Sequence, residues 1–267
     1  MFAGKAKRIA TISNKGENGP LVFCPVDDSL LAGPIGGLRK MPELLQALNK
    51  SGASALIAFK GTLSRCQMEI GLTPTILNCT ASVVGPHHVE KVLVHHIEDA
   101  VALGAEAVAG HFNLYSHDAN RQISNFGRLC REAEVVGIPV LAMAYPRGSA
   151  DGEDNNFDDL RASDPEKYSD LVAHAVRVAV ELGADFVKTQ YTGSPGTFRK
   201  VVDAACGVPL VIAGGPKRPN NDATKLALDA YLAGASGVSF GRNIFLRSNP
   251  GAFLADLKTQ LSMAKHG

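Results

Sequence analysis

Gly183-Ala-Asp-Phe-Val-Lys-Thr-Gln-Tyr191 reads as the end of one helix followed by a strand. Glycine accepts the left-handed conformation in which helices commonly end. The apolar run behind it is too short for a helix and apolar enough for a strand buried on both faces, as in a parallel sheet. The same phrase recurs as Gly52-Ala-Ser-Ala-Leu-Ile-Ala-Phe59, Gly104-Ala-Glu-Ala-Val-Ala-Gly-His111, Gly137-Ile-Pro-Val-Leu-Ala-Met143, Gly207-Val-Pro-Leu-Val-Ile-Ala213 and Gly234-Ala-Ser-Gly-Val-Ser-Phe240. The intervals are 33 residues from Gly104 to Gly137, 24 from Gly183 to Gly207 and 27 from Gly207 to Gly234, each with room for a helix. The 52 residues between Gly52 and Gly104 hold two units, with Pro74-Thr-Ile-Leu-Asn78 as the strand between them. Leu21-Val-Phe-Cys-Pro-Val-Asp27 at the front completes eight strands, expected near residues 21–27, 55–59, 74–79, 107–112, 139–145, 186–191, 209–214 and 237–241.

The segments between them are helix-like. Over 164–183, Ser163 or Asp164 can cap, Pro165 fits the first turn, and Tyr168, Leu171, Val172, Ala175, Ala179 and Leu182 share one face before Gly183 ends the run. Eight alternations in about 250 residues match the size of an α/β domain of the (β/α)8 TIM-barrel class. A doubly wound open sheet has the same local pattern. One domain is expected over residues 1–267, with 1–20 as an N-terminal lead-in and 147–164 as a long polar loop. That loop, Arg147-Gly-Ser-Ala-Asp-Gly-Glu-Asp-Asn-Asn-Phe-Asp-Asp-Leu160 at its core, follows strand five on the face where barrels keep their active sites. A lid and a plain surface insertion both fit it.

Composition narrows the partners. With 27 Lys and Arg against 26 Asp and Glu, the net charge is +1, which gives no electrostatic reason to expect nucleic acid or a membrane. Tryptophan is absent, which also argues against a base-stacking surface. The basic start lacks the apolar core of a signal peptide and no later apolar run approaches a membrane span, so a cytoplasmic protein is expected. The five cysteines, Cys24, Cys66, Cys79, Cys130 and Cys206, have no motif spacing, and most sit among apolar residues as buried free thiols would.

Lys188 carries the strongest chemical signal. An ammonium inside an apolar strand is costly without a partner. Either a carboxylate pairs with it, or it binds phosphate or carboxylate at the strand end, or it serves as a neutral amine that attacks a carbonyl. Tyr145, in Ala142-Met-Ala-Tyr-Pro-Arg-Gly148, is expected at the end of strand five with Pro146 terminating the strand, where a phenol can move a proton or simply pack. Asp27 can act as a base, orient the lysine, or cap a turn, and Asp28 beside it shares those readings. The last two strands end in Ala213-Gly-Gly-Pro-Lys217 and Phe240-Gly-Arg-Asn243. In barrels these loops commonly hold phosphate, so Gly214, Gly215, Gly241 and Arg242 are candidates, with two tight turns as the plain alternative. Further candidate substrate contacts are Arg147, Lys217 and His111, the last being the histidine expected to reach the mouth. Neither His87-His88 nor His95-His96 has chelating spacing, so no metal site is expected from motifs.

Met143-Ala-Tyr-Pro-Arg-Gly148, Val187-Lys-Thr-Gln-Tyr-Thr-Gly193, Val211-Ile-Ala-Gly-Gly-Pro-Lys217 and Gly241-Arg-Asn-Ile-Phe245 resemble the signatures of the archaeal-type class I aldolases. That family includes fructose-bisphosphate aldolase and 2-amino-3,7-dideoxy-D-threo-hept-6-ulosonate synthase, and the resemblance to the second is nearer. It implies a (β/α)8 barrel, Lys188 as the Schiff-base lysine, Tyr145 as the proton-transfer residue, Asp27 as the catalytic aspartate, and Gly214, Gly215, Gly241 and Arg242 as the phosphate cradle. It also implies no cofactor or metal, a phosphorylated sugar or ketone and an aldehyde such as L-aspartate semialdehyde as substrates, and a homo-oligomer of the decameric-ring kind. The chain departs from the family where Asp-His-Gly becomes Asp27-Asp28-Ser29, where a Ser/Thr/Gly-rich turn after strand three becomes Asn78-Cys-Thr-Ala-Ser82, and in a longer acidic loop after Gly148. The rival readings are a fructose-bisphosphate aldolase, a thiolase acting on a phosphorylated dione, and a sugar-phosphate isomerase or binding barrel in which Lys188 forms no covalent bond.

Overall fold

All six glycines of the recurring phrase adopt positive φ, from 67° at Gly104 and Gly137 to 111° at Gly234, so each turns the chain out of a helix and into a strand. The computed structural model describes residues 3–14, 19–82, 88–150 and 153–264. The strands are β1 (Leu21–Pro25), β2 (Ala55–Ala58), β3 (Thr75–Asn78), β4 (Ala107–Tyr115), β5 (Val140–Ala150), β6 (Phe186–Gln190), β7 (Leu210–Ala213) and β8 (Gly237–Ser239). Each pairs in parallel with its neighbour in sequence, and β8 pairs with β1, so the sheet closes. Closure decides for the (β/α)8 barrel over the open sheet. No described helix is long and apolar enough to cross a membrane.

The two-residue period of the strands divides the core into two layers. Leu21, Phe23, Ala55, Ile57, Ile76, Ala107, Ala109, Leu141, Met143, Tyr145, Phe186 and Val211 fill the barrel. Their neighbours in sequence, such as Val22, Leu56, Val108, Ala142 and Val187, face out against the helices. Helix Pro165–Glu181 starts as expected: the Asp164 carboxylate accepts from Lys167 N at 3.0 Å, and Tyr168, Val172, Ala175 and Ala179 are buried. At Gly237 an added Cβ would lie 1.9 Å from Leu21 O, so only glycine lets β8 close on β1.

Three expectations change. The 1–20 lead-in contains the helix Ala3–Asn14, whose fully buried Ile12 plugs the barrel interior from below. It is tied to the N-terminal ends of the strands by Lys5, which pairs with Glu134 and with Asp185 Oδ2 at 3.0 Å. β5 does not stop at Pro146: from Asn113↔Tyr145 to Tyr115↔Gly148 it advances three residues against two on β4. That bulge absorbs the proline's missing donor and lets the strand continue. The long polar loop is therefore a β-hairpin, with Gly148↔Asn155 and Ala150↔Glu153 paired antiparallel, followed by the helix Asp158–Ser163. Residues 151 and 152 of that span, like 1, 2 and 15–18 of the lead-in, lie outside the described residues. Four of the cysteines are buried free thiols and Cys206 is exposed.

Candidate active site

The inward-facing period that fills the core also delivers the polar side chains to the mouth. A cavity of about 580 Å³ opens at the C-terminal ends of the strands, lined by Asn78 of β3, His111 of β4, Met143 and Tyr145 of β5, Lys188 of β6, Ala213 of β7 and Ser239 of β8. Asp27 and Asp28, just past β1, close the ring, as do Gly214, Gly215, Gly241 and Arg242. Met143 is in register with both His111 and Lys188, so three adjacent strands hold these side chains at one level. The positions named from the sequence thus converge, apart from Lys217, which is exposed and does not line the cavity.

Lys188 is half-buried, and among the described residues no carboxylate comes within ion-pair distance of it. Among the described residues the carboxylate partner demanded by a purely structural lysine is missing, although the charge of Lys188 acts on Asp27. Burial pushes the Asp27 carboxyl above its ordinary range; the charge of Lys188 opposes that rise and Asp28 adds to it. Asn78 Nδ2 donates to Asp27 Oδ2 at 2.7 Å. Asn78 Oδ1 in turn accepts from Thr80 N at 3.1 Å and Thr80 Oγ1 at 3.2 Å, and Thr80 Oγ1 accepts from His111 N at 2.9 Å. A hydrogen-bonded chain therefore runs from the carboxylate across β3 to β4. The rings of His111 and Tyr145 lie 5.0 Å apart, and the Arg147 guanidinium stacks 4.4 Å from the Tyr145 ring centre. Burial, then the charges of Lys91 and Arg147, hold His111 well below its usual pKa, so the ring is neutral.

On the opposite side the mouth is bare backbone. A Cβ on Gly214 would meet Asn243 Nδ2 and a Phe240 ring atom, each at 2.7 Å. Asn243, fully buried, donates to Gly214 O at 3.0 Å and Pro216 O at 3.1 Å and accepts from Arg218 N at 2.9 Å, locking the β7 turn to the β8 turn. Arg242 is exposed, with Nε 3.7 Å from Asp28 Oδ2. Asp28 occupies the N-cap position of the helix Ser29–Ala32 without a side-chain cap bond, leaving its carboxylate at the mouth.

Lining residues not named as candidates include Asn78, Thr80, Lys91 and Ser239, the first two noted only as part of the turn after strand three. Ser239 could have been found, because it lies two residues beyond Gly237 and shares its inward face. Its hydroxyl is buried in the cavity without a hydrogen-bond partner among the described residues. Lys91 had no signal, since it comes from the connection between β3 and β4; it is buried, donating to Ser82 Oγ at 2.5 Å and His88 O at 2.8 Å. His95 and His96 sit at the start of helix Ile97–Leu103 against Asp99, His117 pairs with Glu90 at 3.1 Å, and His87 lies outside the described residues. Among the described residues no three His, Cys, Asp or Glu side chains group as metal ligands would.

Residues 21–247 match the DeoC/LacD family of aldolases. The chain is 35% identical over 254 residues to 2-amino-3,7-dideoxy-D-threo-hept-6-ulosonate synthase of Halobacterium salinarum, covering 95% of this chain and 89% of the relative. It is 37% identical over 245 residues to 2-amino-4,5-dihydroxy-6-oxo-7-(phosphonooxy)heptanoate synthase of Streptomyces griseus, covering 90% and 84%. Among solved structures it superposes on an archaeal fructose 1,6-bisphosphate aldolase with a TM-score of 0.83 at 26% identity, covering 97% of this chain and 99% of that one. A second structure of such an aldolase, in which the catalytic lysine is covalently bound to the carbinolamine intermediate of the substrate, has the same TM-score of 0.83 at 25% identity, with the same coverage of 97% and 99%.

Proposed function

The chain belongs to the DeoC/LacD aldolase family, and on that footing we propose that it joins a phosphorylated keto donor to an aldehyde through a Schiff base on Lys188. The observation that carries the reading is Lys188 itself: an inward-facing lysine, without an ion-pair partner among the described residues, in one cavity with Asp27 and Tyr145. The Lys188 amine adds to the donor ketone, and loss of water from the carbinolamine gives an iminium. Asp27, whose raised carboxyl keeps a proton available further toward neutrality, is suited to protonate the departing hydroxyl. The Asp27 carboxylate left by that step takes a proton from the neighbouring carbon as the iminium accepts the electrons of the C–H bond. The resulting enamine attacks the aldehyde, whose oxygen takes up a proton from Tyr145. Hydrolysis of the new iminium frees Lys188, the attacking water returning a proton to Tyr145.

The substrate class follows from product chemistry in a relative. A 2-amino-4,5-dihydroxy-6-oxo-7-(phosphonooxy)heptanoate divides, at its C4–C5 bond, into a four-carbon amino-acid aldehyde and a three-carbon phosphorylated ketone. We assign this chain the same pair, L-aspartate semialdehyde with dihydroxyacetone phosphate or a ketohexose phosphate that releases it. Backbone N–H groups at Gly214, Gly215 and Gly241, with the Arg242 guanidinium, are suited to the donor phosphate. The iminium supplies the electron sink that a metal ion otherwise provides, so activity should survive a strong chelator.

The likeness to fructose 1,6-bisphosphate aldolase favours a second reading, cleavage of that sugar. Mass spectrometry of products from dihydroxyacetone phosphate with L-aspartate semialdehyde, and from fructose 1,6-bisphosphate alone, separates the two. A seven-carbon amino-keto phosphate formed in the presence of chelator supports the first reading. Cleavage of the hexose without that product supports the second, and no carbon–carbon bond change with either overturns both.

A further inference from the structure

Asn113 fixes the protonation of the His111 ring. It is fully buried, and its Nδ2 donates to Val89 O at 2.6 Å. Turning the amide over would set its oxygen against that carbonyl, two acceptors at hydrogen-bond distance, so Oδ1 is the atom that faces His111 Nε2 at 3.1 Å. Gln122 reinforces the arrangement, accepting from Asn113 N at 2.9 Å while donating to the same Val89 O at 2.9 Å. An amide oxygen only accepts, so Nε2 carries the proton. Lys91 before β4, Arg147 on β5 and Lys188 on β6 face the ring with positive charge and disfavour a second proton, while Tyr145 lies beside it. Nδ1 is left with its lone pair and makes no hydrogen bond among the described residues.

The order of strands places that ring relative to Lys188. Lys188 stands on β6, with the glycine turns of β7 and β8 on one side of it and β5 and β4, bearing Tyr145 and His111, on the other. This step rests on the Schiff-base reading: with the carbonyl carbon on Lys188 Nζ and the phosphate arm toward β7 and β8, the other arm of the ketone points toward β4. We propose that His111 is a catalytic residue, locked by Asn113 in the Nε2–H form, whose Nδ1 accepts a hydrogen bond from the hydroxyl on the carbon that becomes nucleophilic. The ring thereby selects α-hydroxyketone phosphates over their deoxy counterparts and holds the enamine in one orientation.

The test compares kcat/KM for dihydroxyacetone phosphate and for hydroxyacetone phosphate, which lacks that hydroxyl, in the natural protein and in His111→Phe. The natural protein should prefer the hydroxylated donor, and His111→Phe should reduce that preference by about ten- to a hundredfold, the usual effect of one buried hydrogen bond to substrate. Borohydride labelling of Lys188 should persist in the variant. An unchanged preference with labelling intact overturns this proposal alone, whereas absence of label in the natural protein overturns the Schiff-base reading beneath it. Two measurements avoid dependence on the folding of His111→Phe. ¹⁵N NMR of the natural protein should show protonated Nε2 and bare Nδ1 from pH 5 to 8; a protonated Nδ1 contradicts the proposal. Asn113→Asp should let the ring charge, so that activity with the hydroxylated donor falls as pH drops through a new acidic limb; an unshifted profile contradicts it too.

Discussion

Lys188 was legible in the sequence because an ammonium inside an apolar strand has few uses, and each is chemically specific. Asn78 and Ser239 were not, since amide and hydroxyl side chains cap and brace loops far more often than they line a site; only register and burial reveal them. Two expectations belong to single residues. Tyr145→Phe should keep Schiff-base formation yet slow turnover by about 10² to 10⁴, the range for a lost acid–base group, and stopped-flow detection of the iminium beside steady-state kcat separates the two steps; unchanged turnover means the ring only packs. Asp27→Asn should abolish turnover while stabilising the protein at pH 7. The native carboxyl is raised above its ordinary value near ~3.9, so the ionised form is disfavoured by folding. The penalty is absent below the ordinary value, where both states are protonated, and grows as pH rises through the window up to the raised one. Denaturant unfolding of both proteins at pH 3.5 and pH 7 should show the variant's advantage only at the higher pH; an advantage at both, or a loss at pH 7, contradicts the assignment.

At the scale of elements, the recurring glycine phrase located the strands well because a left-handed helix end and a short apolar run are local features of the chain. What failed was also local reasoning. Pro146 was read as a stop because proline cannot join a ladder, but β5 bulges there against β4 and skips the missing donor, a fact visible only in the pairing of the two strands. The β1 and β8 ends meet in a comparable way, where Asp28 lies 3.7 Å from Arg242 Nε. So exposed a pair adds little stability, yet it sets a carboxylate against the proposed phosphate position. Arg242→Ala should lower kcat/KM for a phosphorylated donor by about ten- to a hundredfold and hardly touch an unphosphorylated one. Asp28→Asn should move the other way, lowering KM for the phosphorylated donor by removing the competing charge. Equal losses for both donors in Arg242→Ala would make that residue structural, and an unmoved KM in Asp28→Asn would detach Asp28 from the phosphate.

Across the whole molecule the barrel separates stability from chemistry. The helix Ala3–Asn14 closes the bottom with Ile12, while every proposed catalytic group lies at the other end of the strands. Ile12→Ala should cost about 2–5 kcal/mol in denaturant unfolding, as large-to-small core changes do, with KM unchanged; a shifted KM would mean the two ends are coupled. Closure of the sheet could not be read from the chain, because helix and strand alternate identically in open and closed folds; the pairing of β8 with β1 decides it. The site depends on that closure, which brings Asp27 from one end of the sequence and Arg242 from the other to the same mouth as Lys188. Mass spectrometry of the protein reduced with borohydride in the presence of dihydroxyacetone phosphate tests the account most directly. One donor adduct on the peptide bearing Lys188, with loss of activity, is the result expected. An adduct on another lysine such as Lys91, or full activity with no adduct, would contradict it.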